Sequence, residues 1–176
     1  ISGLVKPKLG QISPGNLNLG FVFQNPDNQF FSTTPREDIV WGLEQRGRGY
    51  EESKKIANQW LAKMEIEHLA DRSLALLSFG EKKRVAFAGA LALEPEVLLC
   101  DEPTAGLDFI AAKQLIQLLE SVSKQKPFSL IWASHDLELL PKNISKAILI
   151  RSGTTSYYGP LADALSNKNL VLAGLR

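Results

Sequence analysis

The sequence predicts an α/β domain: a parallel sheet flanked by helices, with a small helical subdomain inserted after the first strand. Three observations carry this. Short apolar runs at residues 20–24, 97–100, 128–133 and 147–150 alternate with longer stretches of helical periodicity, the pattern of strands joined by right-handed helical crossovers. Within the runs, apolar residues follow one another without alternation, as in strands buried on both faces. Polar residues then stand at the ends of the runs, where open parallel sheets gather their ligands: Gln24, Asp101, Glu102 and His135.

The elements follow in order. Residues 20–24 read as a buried strand that empties into the loop Asn25-Pro26-Asp27, with Gln24 presented at the strand end. Thr34-Pro35-Arg36-Glu37 combines an N-cap threonine, a proline at the first helical position and a glutamate three residues past the cap, so a helix is expected from Pro35 to about Gln45. Arg46-Gly47-Arg48-Gly49 interrupts it. Ile56, Trp60, Leu61 and Met64 then fall on one helical face, which makes residues 35–77 the helical insert. Ser78-Phe79-Gly80-Glu81 has capping-box spacing, so another helix starts there and runs through Val85, Ala88 and Leu91 until Pro95 forbids more. After the strand at 97–100, Asp108 is placed to cap a helix whose Leu115, Leu118, Leu119 and Val122 face inward. The runs at 128–133 and 147–150 are expected as further strands of the same sheet, before Ser152-Gly153-Thr154 turns the chain.

Composition narrows the function. In 176 residues, 44% hydrophobic and 22% charged content suits one folded domain. Twenty basic against 19 acidic residues leave a net charge of +1, so no overall field favours nucleic acid, and Arg46 and Arg48 read as solvated turn residues. The lone cysteine, Cys100, excludes an intramolecular disulfide and agrees with a reducing compartment. The apolar runs are far shorter than the roughly 20 residues that cross a bilayer.

The polar residues at the run ends suit phosphoryl transfer to water, which needs a cation on the terminal phosphates, a positioned water and donors for developing charge. Singly, each is as readily a solvated loop residue: an Asp-Glu pair after a strand, a glutamine before Asn-Pro, a Ser-His-Asp run. Their order and spacing set them apart. Phe23-Gln24 resembles the Q-loop of ATP-binding-cassette (ABC) ATPases, Leu77 to Glu81 their signature, and Leu98 to Glu102 their Walker B strand. Ala105-Gly106-Leu107-Asp108 resembles the D-loop and Ser134-His135-Asp136 the H-loop, so the resemblance runs over essentially the whole chain. The run from Val22 to Phe31 is further similar to the Q-loop of the energy-coupling-factor group, whose members power uptake of vitamins or metal ions.

The resemblance implies a P-loop NTPase-like fold, with residues 1–34 and 78–176 as α/β core and about 35–77 as helical subdomain of a single, truncated ABC ATPase domain. It implies ATP and Mg2+, with Asp101 and Gln24 on the metal, Glu102 on the attacking water and His135 on the terminal phosphate. Gln24, Ser78, Gly80, Glu81 and Asp108 would contact nucleotide. Its partners would be a second ABC ATPase subunit, identical or not, and an integral membrane transporter subunit, with the chain on the cytoplasmic face of the membrane. Phe30, Phe31 and Trp41 would lie near the contact with that subunit, or else belong simply to the core.

Two departures qualify this. Phe79 and Glu81 stand where glycine and glutamine are commoner in the signature, and the bulk of Phe79 is expected to crowd a loop meant to approach phosphate. The 176 residues also contain no Gly-x-x-x-x-Gly-Lys-Ser/Thr phosphate loop. The segment from Ile1 to Pro7 resembles the end of the helix that follows that loop in relatives, which would put the loop just upstream of residue 1. The chain by itself is therefore expected not to hydrolyse ATP. It remains open at this point whether it is the ATPase subunit of an importer, a non-catalytic cassette lending its signature to a partner, or a non-functional gene fragment.

Overall fold

The computed structural model describes residues 3, 5–13, 15–166, 168–170 and 174. They divide into two compact units, Ile1–Ala133 and Ser134–Arg176.

In the first unit, β1 (Leu19–Val22), β2 (Val97–Asp101) and β3 (Ser129–Ala133) form a parallel sheet in the order β1-β2-β3. The register pairs Val22 with Cys100 and Asp101 with Ala133, so the strands end side by side. Val22, Leu98 and Cys100 are buried in the central core, as their continuous apolar runs require. Gly20 is needed where it stands, because a Cβ there would come to 3.0 Å from both Pro95 and Leu98. Asn18 fastens the start of β1, its Nδ2 donating to the carbonyls of Leu93 and Glu94 at 2.7 and 2.9 Å.

The expected helices form. α1 (Pro35–Glu44) is capped by Thr34, and α2 (Tyr50–Lys63) buries Trp60 and Leu61, with Met64 just beyond. α3 (Phe79–Ala92) is capped by Ser78 and places Val85, Ala88 and Leu91 in the core. α4 (Phe109–Gln125) is capped by Asp108, with Leu115, Leu119 and Val122 inward and Leu118 half-buried.

In the second unit, β4 (Lys146–Arg151) and β5 (Thr154–Pro160) pair antiparallel, followed by α5 (Leu161–Ala164).

Three expectations are corrected. The run at 147–150 is a hairpin strand and not a member of the parallel sheet, because Ser152 and Gly153 both take positive φ, 49° and 77°, and close a two-residue turn that matches the twist of paired strands. The run at 128–133 is only half buried: Ser129, Ile131 and Ala133 share a face of β3 that is exposed, while Leu130 and Trp132 on the other face pack on the core. Of the segment expected to end a helix, Ile1, Ser2 and Leu4 lie outside the described residues, and Gly3, Val5, Lys6 and Pro7 are not helical.

Candidate functional site

The site is built on the carboxyl ends of β1 and β2. Gln24 lies two residues past Val22 on an exposed bend, and Asp101 closes β2 with its side chain exposed. Glu102 follows, half-buried, with φ at 43°, in the left-handed region that a non-glycine residue occupies only where its surroundings hold it. Its surroundings are visible: its N–H donates to the Ala133 carbonyl at 2.9 Å, and its carbonyl accepts from the Ala105 N–H at 3.1 Å.

A residue that sequence reasoning missed joins these ends. Lys83 of α3 is fully buried, and its Nζ donates to the Gln24 carbonyl at 2.6 Å and to the Glu102 carbonyl at 3.3 Å. Burial lowers its ammonium pKa to about 8, with Cys100, Asp101 and Glu102 pulling it back up. The signal was present in the sequence: Lys83 lies four residues from both Phe79 and Phe87, on a face of α3 that is otherwise apolar.

Two further bonds seat the Gln24 segment on the same helix. Lys82 pairs with Asp27 at 2.7 Å, and the Gln29 amide donates to the Ala86 carbonyl at 2.9 Å. Asp27 itself is set by an Asn25 side chain that accepts from its N–H at 3.0 Å and caps the 3-10 turn Pro26–Asn28.

At the start of α3 the capping box is complete. Ser78 Oγ accepts from the Glu81 N–H at 3.3 Å, and Glu81 Oε2 accepts from the Ser78 N–H at 2.7 Å. Those bonds hold the Glu81 carboxyl below the usual range, and Arg72 and His68 add to the effect. The amides of Phe79 and Gly80 stand outside the box at the positive end of the helix, which is the arrangement that receives an anion.

Phe79 lies against the turn before α4. Its ring packs on Gly106, where a Cβ would lie 2.8 Å from Cε1, and Gly106 has φ at 79°. A Cβ on Gly80 would stand 3.5 Å from Leu107, so the start of α3 rests against the turn before α4. The tight contact that the Phe79 ring makes is with Gly106. Asp108 spends one carboxylate oxygen on its cap, accepting from the Ala111 N–H at 2.8 Å.

Gln24, Asp101 and Glu102 are thus brought together, and Ser78, Gly80 and Glu81 form a second cluster beside residues 106–108. His135 stands two residues past the end of β3 in the second unit.

The sequence model of the family described as "ABC transporter" matches residues 1–105 of this chain. The chain belongs to the ABC transporter family. Among its relatives are the energy-coupling factor transporter ATP-binding protein EcfA3 of Clostridium perfringens, 33% identical over 97% of this chain and 65% of that protein, and the cobalt import ATP-binding protein CbiO of Rhodobacter capsulatus, 35% identical over 100% of this chain and 68% of that protein. These place it in the energy-coupling-factor and cobalt-import group of ABC ATPases. The solved structure of cbiO1 from Clostridium perfringens, part of the cbiONQ transporter complex, superposes with a TM-score of 0.76 at 36% identity over 88% of this chain and 61% of that one. The fold is that of an ABC ATPase domain. The chain spans 65% of the length of its Clostridium perfringens relative EcfA3.

Proposed function

We propose that this chain is the ATP-binding part of an ABC importer subunit, coupling ATP hydrolysis to the uptake of a vitamin or metal ion. Family membership and the names of its relatives support the class, and one observation carries the site. Gln24 and Asp101-Glu102 follow neighbouring parallel strands that end side by side, and the Gln24 and Glu102 carbonyls are bound by the same buried ammonium.

The donors suit magnesium, which takes one or two protein ligands and fills its remaining positions with phosphate oxygens and water. Asp101 and Gln24 would hold it, and when bound it would neutralise charge on the terminal phosphates. Glu102 orients and deprotonates the attacking water, and His135 hydrogen-bonds the terminal phosphate. Ser78, Gly80 and Glu81 would meet nucleotide held by a second cassette, identical or different, where the free amides are those of Phe79 and Gly80, and Asp108 supports that contact from the neighbouring turn.

Residues 1–176 carry no phosphate-loop motif, so by themselves they do not hydrolyse ATP. A second reading has the chain lending only its signature to a partner's nucleotide, for which the Phe79 and Gly80 amides outside the capping box suffice.

The membrane partner is assigned to a groove of about 180 Å³ lined by Phe21, Gln29, Phe31, Trp41 and Gly89. Phe31 and Trp41 stack over it at 4.6 Å while 73% and 41% exposed, whereas Phe30 packs on the core. Among the described residues no helix is long and apolar enough to cross a membrane. The cytoplasmic face is proposed from the names of the relatives, with the transporter subunit as the anchor, and Phe31→Ala is expected to weaken co-purification with that subunit while Phe30→Ala mainly lowers stability.

The test of the catalytic reading is ATP hydrolysis by the protein purified from its own cells with whatever it assembles with. Glu102→Gln is expected to lower the rate by about a hundredfold or more. An unchanged rate would sink the hydrolytic reading. Ser78→Arg, which blocks the helix amides without touching Glu102, would then show whether the signature is the part in use.

A further inference from the structure

We propose that Lys83 is a positioning residue for hydrolysis: its buried ammonium ties the Gln24 backbone to the Glu102 backbone and so fixes the two side chains relative to each other. This rests on the reading of Gln24 and Glu102 given above.

The geometry singles Lys83 out. A lysine with no exposed surface is rare and costly, and the fold would fill the same volume more cheaply with methionine or leucine. What an apolar side chain does not supply is a donor between two carbonyls that come from different strands. Those carbonyls belong to the very residues whose side chains the chemistry uses. Glu102 has the further need, because its backbone is left-handed, and the Lys83 contact stands beside the Ala105 and Ala133 bonds among those that hold it. The same Nζ stands 5.4 Å from the centre of the Phe79 ring, the first residue of α3, so the ammonium also faces the signature. One side chain therefore bonds both loops of the site and stands near the start of the signature helix.

A role in packing alone predicts a loss of stability. A positioning role predicts a loss of rate at unchanged substrate binding. The experiment compares wild type, Lys83→Met, Lys83→Gln and Glu102→Gln in the protein purified from its own cells with its partners. It measures kcat and KM for ATP, and the hydrogen exchange of peptides covering residues 22–29, 101–106 and 50–63. In Lys83→Met, kcat is expected to fall by about tenfold or more with KM within about twofold, and peptides 22–29 and 101–106 to exchange faster while α2 keeps its protection. Lys83→Gln, whose amide still donates, is expected to recover part of the lost rate.

Wild-type exchange at both loops in Lys83→Met, or a wild-type kcat, would overturn the proposal. If Lys83→Met also loses protection across α2, Lys83→Gln carries the same comparison against wild type, with a lower kcat at unchanged KM expected. If Glu102→Gln leaves hydrolysis intact, the reading of Glu102 fails instead, and exchange at the two loops alone decides the role of Lys83.

Discussion

The tightest local fit in the candidate site is between Phe79 and Gly106. Glycine at 106 meets two requirements at once, a φ of 79° and a ring carbon 2.8 Å from where a Cβ would stand. Gly106→Ala is therefore expected to cost about 1–2 kcal/mol from the backbone alone, with the ring contact adding to it. In a double-mutant cycle by denaturant unfolding, Phe79→Ala should recover the ring part and leave the backbone part; equal losses in both backgrounds would mean that the ring yields freely. Cys100 makes a second prediction at this scale. It is 3% exposed, and burial pushes its thiol well above the ordinary range despite the neighbouring Lys83. The folded chain should resist alkylation by iodoacetamide at pH 8 and react once unfolded, as read by mass.

Among the elements, α3 depends most on its first turn. Ser78→Ala removes one half of the capping box and is expected to cost about 1 kcal/mol of stability in denaturant unfolding. The other half titrates. Glu81 is held below its usual range by the Ser78 N–H first, then by the Ser78 hydroxyl, with Arg72 and His68 nearby. A carboxylate with a depressed folded pKa adds stability that is present above its unfolded value, near pH 4.5, and is lost as pH falls through the folded value. Glu81→Gln keeps only a neutral acceptor for the Ser78 N–H, so it should be less stable than wild type at pH 7 and converge on wild type as pH falls below about 4.5, losing this part of the acid dependence. An unaltered slope below pH 4.5 would assign the acid sensitivity elsewhere. These caps were legible in the sequence because each is local: Thr34-Pro35, Ser78-x-x-Glu81 and Asp108 announce their helices within four residues. The hairpin was not, since an apolar run at 147–150 suits either kind of sheet and only the paired positive φ of Ser152 and Gly153 decides. Lys83 escaped notice for a related reason, because its partners are the backbone carbonyls of residues 59 and 19 positions away, and no motif of side chains reports them.

Over the whole molecule, the sheet edge and the charge act together. A parallel sheet is ordinarily covered on both faces, yet β3 has one unpaired side among the described residues and one open face, on which Ile131 is 43% exposed. No lysine, proline or bulge blunts that strand, which reads Ser-Leu-Ile-Trp-Ala. A net charge of +1 gives little repulsion to keep copies apart. Residues 1–176 expressed by themselves are therefore expected to self-associate through β3 near neutral pH. Ile131→Lys puts a charge on the exposed position while leaving Leu130 and Trp132, which pack on the core, in place. It should lower light scattering at equal concentration and leave the unfolding midpoint nearly unchanged. Scattering equal to wild type would exclude the β3 edge as the route and turn attention to Phe109 and Ile110, 50% and 70% exposed at the start of α4 beside the signature, where a second cassette would be received. The two outcomes separate an association that a further strand on β3 would abolish from one that belongs to the face used in pairing.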